Sequence, residues 1–163
     1  MHVLLSNDLC IRKTTIHDFD FVFLLLRQLW AEKSLDRNSM EKVFQATLAS
    51  ERDFTFCALC EKRVVGFIAG MKMNNYYHAG EICYVSTLIV DERYRGKQIG
   101  KRLLDTVVDY AKNSGCNAVE LDANFHRHDT HSFYERYGFH KRAFTFTLTF
   151  EEGFIYEKGI TTD

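Results

Sequence analysis

The apolar positions change spacing several times along the chain, and each change marks an element. Residues 8–14 read as a short strand. Thr15-Ile16-His17-Asp18 places an acid three positions after a hydroxyl residue, the form of a capping box. Phe19, Val22, Phe23, Leu26, Leu29 and Trp30 then recur at helical spacing. Beyond the polar stretch 33–38, Ser39 is placed to cap a second helix carrying Val43, Phe44 and Leu48. Residues 54–60 and 64–73 are strand-like runs around Glu61-Lys62-Arg63 and predict a hairpin. Residues 74–80 form a loop, and 81–90 a further strand. Ile99, Leu103, Leu104, Val107, Val108 and Ala111 predict a third helix that runs to about Ser114 and stops at Gly115. Residues 118–122 make a short strand. Asp129 can cap a fourth helix with Thr130, Phe133, Tyr134 and Tyr137 on one face, ended by Gly138. Residues 143–150 alternate aromatic or aliphatic side chains with threonine, a strand pattern with one wet face, and Glu151-Glu152-Gly153 permits a hairpin to 154–156.

This order predicts an α+β or mixed α/β domain with helices covering a central sheet. No repeat or linker divides residues 1–163, so a single domain is expected. A 46% hydrophobic and 14% aromatic composition excludes a disordered chain. The net charge of −1 gives no general signal for nucleic acid or a membrane surface. Residues 21–26 are apolar but too short to span a bilayer, and no leader pattern precedes them, so the cytoplasm is the expected location. The five cysteines are scattered and odd in number, unlike a secreted disulfide framework. Cys57 and Cys60 have CxxC spacing, but residues three apart on a strand face opposite ways, and no second pair completes a zinc site. The histidines at 126, 128, 131 and 140 are irregularly spaced with no accompanying ligand pattern, so no metal is expected.

Chemistry concentrates at Arg93-Tyr94-Arg95-Gly96-Lys97-Gln98-Ile99-Gly100-Lys101-Arg102. Five cations and two glycines stand between a strand and a helix. Acids normally favour a helix's first turn, because its unbonded N–H groups carry partial positive charge. Cations crowded there are unfavourable unless an anion binds, and strand, glycine-containing loop and helix start together make a phosphate cradle. A nucleotide P-loop is excluded, since three residues rather than four separate Gly96 from Gly100 and Arg102 follows Lys101. No G-x-G-x-x-G is present, which excludes a dinucleotide fingerprint.

The pattern that fits is R-x-x-x-x-G opening a helix after Leu88-Ile89-Val90-Asp91. Together with Phe133-Tyr134-Glu135-Arg136-Tyr137-Gly138-Phe139, it resembles the GNAT superfamily of acyl-CoA-dependent N-acetyltransferases. The resemblance covers roughly residues 81–142, and the element order extends it to most of the chain. It implies a mostly antiparallel central sheet of six to seven strands flanked by about four helices, with acetyl-CoA as cosubstrate. Backbone groups from Arg95 through Lys101 (Gly96, Lys97, Gln98, Ile99 and Gly100 between) would hold its diphosphate. Gln98 stands where the family often has glycine. The strand at Leu88, Ile89 and Val90 would pair with the pantetheine arm, and an N–H near Leu88 would stabilise the oxyanion. Tyr134 matches the tyrosine that protonates the departing thiolate, with packing on an apolar helix face as its other reading. Asn124 is a further cofactor candidate. Ser86 occupies the position most often acidic in the family, which leaves Glu81 as the nearest acid on this strand and the candidate base, or a solvated strand-end residue.

These features imply transfer of acetyl to a primary amine, most simply on a small molecule. Acetylation of a protein or peptide amine, and a non-catalytic acyl-CoA sensor, are the competing readings. Acceptor choice is expected in residues 30–40 and 74–80, where Glu32 and Asp36 would attract a cation and Tyr76 and Tyr77 would stack. Phe144, Phe146, Phe150, Phe154 and Tyr156 exceed what one sheet face needs, which suggests a homodimer.

Overall fold

The computed structural model describes residues 9–152. The chain divides into two compact units, one reaching to Leu121 and the other starting at Asp122.

In the first unit, β1 (Leu9–Lys13) leads through a short 3-10 turn (Ile16–Asp18) into α1 (Phe19–Leu29) and α2 (Arg37–Ala49). The capping box forms: the Asp18 carboxylate accepts from the Thr15 N–H at 2.7 Å and is gripped by both terminal nitrogens of Arg12 at 2.7 and 2.8 Å. That pairing holds the buried Asp18 carboxyl below the usual carboxylate range. The second helix starts earlier than expected. Asp36, not Ser39, is its cap, and the Asp36 side chain accepts from the Ser39 N–H at 2.7 Å. A charged oxygen makes the stronger bond to an orphan amide, so the aspartate takes the role.

β2 (Asp53–Cys60), β3 (Arg63–Asn75) and β4 (Gly80–Val90) form an antiparallel meander on β1. A second 3-10 turn (Glu92–Tyr94) and α3 (Ile99–Asn113) then cross over to β5 (Ala118–Leu121), which pairs parallel to β4, as a helical crossover requires. The sheet order is β1-β2-β3-β4-β5. Phe19, Val22, Phe23 and Leu26 of α1 and Phe44 of α2 pack over Cys57, Phe67, Ala69 and Ile89. Each such side chain contributes about 1.5–3 kcal/mol by leaving water. α3 covers the other face. A Cβ at Gly66, whose neighbour Phe67 faces α2, would meet Leu103 at 3.0 Å and Ile99 at 3.3 Å.

The ladder between β3 and β4 is irregular at one point. Its register steps from Ala69↔Thr87 to Gly70↔Val85, so Ser86 is an extra residue, a β-bulge. Beside it the backbones approach closely. A Cβ at Gly70 would lie 2.1 Å from the Tyr84 carbonyl oxygen and 2.5 Å from the Phe54 ring, so only glycine fits.

The second unit contains α4 (His128–Tyr137), which ends at Gly138 in the left-handed region, φ 119°. Its cap position is Arg127, without a side-chain bond, and the expected cap Asp129 lies instead in the first turn. Tyr134 is buried and packs against Phe133 and Phe139, with ring centroids 5.4 and 5.8 Å away.

Among the described residues the sheet has five strands, not six to seven. Among the described residues, 143–150 pair with no strand, and Phe144, Phe146, Leu148 and Phe150 are 71–93% exposed. Alternation sets the faces of a strand, but a ladder needs a neighbour's N–H and C=O groups. The expected 154–156 strand lies outside the described residues, as do Phe154 and Tyr156. No helix among the described residues is long and apolar enough to cross a membrane.

Candidate active site

β4 carries the first half of the site. The Asp91 N–H donates to Val65 O at 2.8 Å, so the main chain at Asp91 faces β3. Strand groups alternate in direction, which turns Ile89 to β3 as well and aims the N–H and C=O groups of Leu88 and Val90 at the opposite edge. Pairing with β5 covers that edge only from Ile82 to Val85. From Ser86 to Val90 it is uncovered by any strand among the described residues. The Val90 carbonyl accepts from Arg95 Nε at 3.1 Å, as this direction requires. Ile89 is buried in the core and supports the edge without facing it.

The second half begins one residue later. Asp91 is 3% exposed, and its carboxylate accepts from the Arg93 N–H at 3.0 Å and from the Arg93 guanidinium at 3.0 and 2.7 Å. This pairing pushes its pKa down to about 2. The Glu92 N–H is met by Gln28 Oε1 of α1 at 3.1 Å, which fixes where the turn starts. The chain then runs through Gly96 at φ 73° and Gln98 at φ 65°, and α3 begins with no side-chain cap and no acid in its first turn. The N–H groups of Gln98, Ile99 and Gly100 have no acceptor among the described residues. The first intrahelical bond is Arg102 N–H to Gln98 O at 3.0 Å. Neither Asp91 nor Gln28 stood out in the sequence; an aspartate two places before an arginine at a strand end was the available signal.

The five cations of this segment do not converge as expected. Arg93 turns back to Asp91, and Lys101 pairs with Asp105 at 2.8 Å. Arg102 donates to Leu9 O at 3.2 Å, and Lys97 stands 5.1 Å over the Tyr94 ring. Arg95 is exposed beside Val90. The loop therefore presents amides first and cationic side chains second.

Glu81 is the second residue of β4, at the far end from the cradle and roughly 23 Å from Leu88 at about 3.3 Å per residue. Its carboxylate is held by Arg52 at 2.7 Å and Lys72 at 3.4 Å, and these partners, Arg52 foremost, lower its pKa. Ser86 Oγ, at the position often acidic in the family, donates to Ala69 O at 3.3 Å.

Two candidates belong to the second unit. Burial pushes the Tyr134 pKa up to about 12, and no described residue hydrogen-bonds its hydroxyl. The Asn124 carbonyl accepts from the Arg127 N–H at 3.1 Å and lies 2.7 Å from His131 Nε2, which leaves the exposed Asn124 side chain outside these bonds. Among the described residues no three His, Cys, Asp or Glu side chains gather as metal ligands. Cys57 is fully buried, its thiol raised to about 12 by burial, in keeping with packing rather than reactivity.

Known proteins resemble this chain in sequence and in fold. Residues 20–139 match the acetyltransferase (GNAT) family. An aminoalkylphosphonate N-acetyltransferase of Salmonella typhimurium is 32% identical over 137 residues, covering 84% of this chain and 88% of that one. A glucosamine 6-phosphate N-acetyltransferase of Arabidopsis thaliana is 27% identical over 147 residues, covering 86% and 96%. The crystal structure of an aminoglycoside N-acetyltransferase, AAC(6')-Iy, in complex with CoA superposes with a TM-score of 0.78 at 16% identity, covering 86% of this chain and 93% of that one. The chain belongs to the acetyltransferase (GNAT) family and is an acetyl-CoA-dependent acyltransferase.

Proposed function

We propose that the chain transfers acetyl from acetyl-CoA to a primary amine on a small molecule, by direct attack within a ternary complex. The observation that carries this reading is the continuity of two main-chain features: the uncovered edge of β4 runs, within a few residues, into the uncapped start of α3. A diphosphate fits the amides of Gln98, Ile99 and Gly100, with Gly96 giving the turn and Arg95, Lys97 and Lys101 adding charge nearby. The pantetheine arm bonds the edge groups of Leu88 and Val90 as an added strand would. At its end the Leu88 N–H is aimed to hold the oxyanion of the tetrahedral intermediate. The exposed Asn124 side chain is assigned to the cofactor.

The proposed balance of the reaction is simple. The neutral amine nitrogen forms a bond to the acetyl carbon, and the carbon–sulfur bond breaks. As the amide forms, the nitrogen releases its surplus proton to solvent, while Tyr134 gives its proton to the departing thiolate and recovers one from solvent. A phenol with a pKa of about 12 is fully protonated at neutral pH, and a hydroxyl that no described residue engages can donate without first breaking a bond to one of them. Glu81 is a poor base, being paired to two cations and remote along the strand, so the ammonium loses its proton to solvent and Glu81 anchors the strand end. The names of the two relatives support a small-molecule acceptor.

Tyr134→Phe is the test. The rate of amine-dependent thiol release falls about 100-fold, as loss of a general acid does, while CoA affinity by calorimetry stays within about twofold because the ring's packing remains. An unchanged rate removes the tyrosine from the mechanism. No thiol release by the wild-type chain across a broad amine panel favours the sensor reading.

A further inference from the structure

Beside the turn after β4, the first unit contains a cavity of about 760 Å³, in the range of small-ligand sites. One wall is α1 and the segment after it, the other the start of β3 and the residues after Val90. Its lining includes four cations, Arg27, Lys33, Arg63 and Arg93, against the single carboxylate of Asp91. That carboxylate is already bound to Arg93 and holds the guanidinium in place. Arg27 and Arg63 form no ion pair among the described residues, and both are exposed. In a chain whose net charge is −1, this is a local excess of positive charge around a hollow with apolar walls, Phe21, Leu24 and Leu35 among them.

Neither expected acid serves here. Asp36 caps α2, and Glu32 does not line the cavity. Of residues 31–35, the one charged residue that lines the cavity is Lys33. A cationic amine is not what such a lining holds; its complement is an oxyanion with two negative charges and a tetrahedral spread of acceptors. The location adds a second constraint. Asp91 and Arg93 sit immediately past the strand whose Leu88 N–H faces the reacting carbonyl in the proposed reaction, and Asp91 is roughly 10 Å from Leu88 at about 3.3 Å per residue. α3 covers the other face of the sheet, and the cavity lies on the α1 side.

We propose that this cavity holds the anionic group of the acceptor, and that the acceptor is a phosphate- or phosphonate-bearing amine whose nitrogen and phosphorus are at most roughly 10 Å apart. Arg27 and Arg63 bind the oxyanion, Lys33 and the Asp91-oriented Arg93 add charge, and the apolar wall takes the connecting carbons. This rests on the acetyltransfer reading for the reaction, but not for the binding.

The experiment has two arms. In the first, inorganic phosphate is titrated calorimetrically into the CoA-free chain, its Arg27→Ala and Arg63→Ala variants, and Gly100→Asp, which alters the cradle alone. Each arginine variant weakens phosphate binding about tenfold, the scale of one charge-assisted contact, and Gly100→Asp retains a cavity-bound phosphate. In the second arm, phosphoethanolamine and 6-aminohexyl phosphate are compared with ethanolamine and 6-aminohexanol as acceptors. Arg27→Ala raises KM for the phosphorylated amines about tenfold, leaves KM for their neutral counterparts and for acetyl-CoA within about twofold, and Arg27→Lys restores most of the loss. Equal phosphate affinity in wild type and both arginine variants overturns the proposal. So does a wild type that prefers neutral amines, or an arginine variant whose KM rises for acetyl-CoA instead, which would give the cavity to the cofactor. If no amine is turned over, the acetyltransfer reading fails by itself, because the calorimetric arm needs no catalysis.

Discussion

Two basic regions lie side by side at the end of β4, and they use positive charge in opposite ways. In the β4–α3 loop, the charged side chains are drawn to the protein's own groups, Arg93 to Asp91, Lys101 to Asp105 and Arg102 to Leu9 O, while main-chain amides are left facing outward. In the cavity beside it, Arg27 and Arg63 form no ion pair among the described residues, and side chains are the proposed recognition surface. Density of lysine and arginine in a sequence therefore does not say which atoms meet a ligand. A loop that recognises through amides tolerates changes of side chain and fails when its backbone is altered. A cavity that recognises through guanidinium groups does the reverse.

The sharpest way to break this contrast is Gly100→Asp. A carboxylate in the first turn of α3 suits the helix, so folding is retained, but it occupies the field meant for the diphosphate. CoA affinity falls about 30-fold, close to 2 kcal/mol, measured by calorimetry. An unchanged affinity would show that the amides are not the seat.

Asp91 joins the two regions, because it starts the loop and orients a cavity arginine. Its pKa in the folded chain, about 2, lies below its ordinary value of 3.8. The stability it contributes is thus complete above that ordinary value and is lost as pH falls through about 2. Arg93 is more than half exposed, so solvent screens the pair. Asp91→Asn costs about 1 kcal/mol at neutral pH by urea unfolding, and the difference from wild type closes on acidification. A constant gap down to pH 2 would assign the cost to packing instead.

Smaller effects sharpen the same division. Arg95→Ala and Lys97→Ala each weaken CoA binding only about threefold, a loss that shrinks further in salt. A tenfold or greater loss at either position would make the loop a side-chain site like its neighbour. Gln98 holds a left-handed backbone that an L residue with a side chain adopts at a cost. Gln98→Gly raises stability by about 0.5 kcal/mol in thermal or urea unfolding and leaves CoA affinity unchanged.

Legibility in the sequence divides along the same line. The loop is contiguous, so its cations, glycines and flanking periodicity could be read together, and α1, the β2–β3 hairpin, β4 and α3 all form where their spacing put them. The cavity is assembled from positions 27, 33, 63 and 93, which only folding brings near one another. Glu81 looked available on its strand because its partners, Arg52 and Lys72, come from β3 and the approach to β2. The threonine-alternating run at 143–150 has the right side chains for a strand and lacks a neighbouring ladder among the described residues, a condition that no local pattern encodes.

Ser86 and Gly70 carry a consequence for how this protein can vary. The Tyr84 carbonyl leans into the volume a side chain at position 70 would fill, and it does so next to the place where β4 carries its surplus residue. Loss of Ser86 would realign β4 and remove the close approach that makes glycine obligatory; a larger residue at 70 would demand that same realignment. The two positions are one hereditary unit, and a viable lineage is expected to change both together or neither.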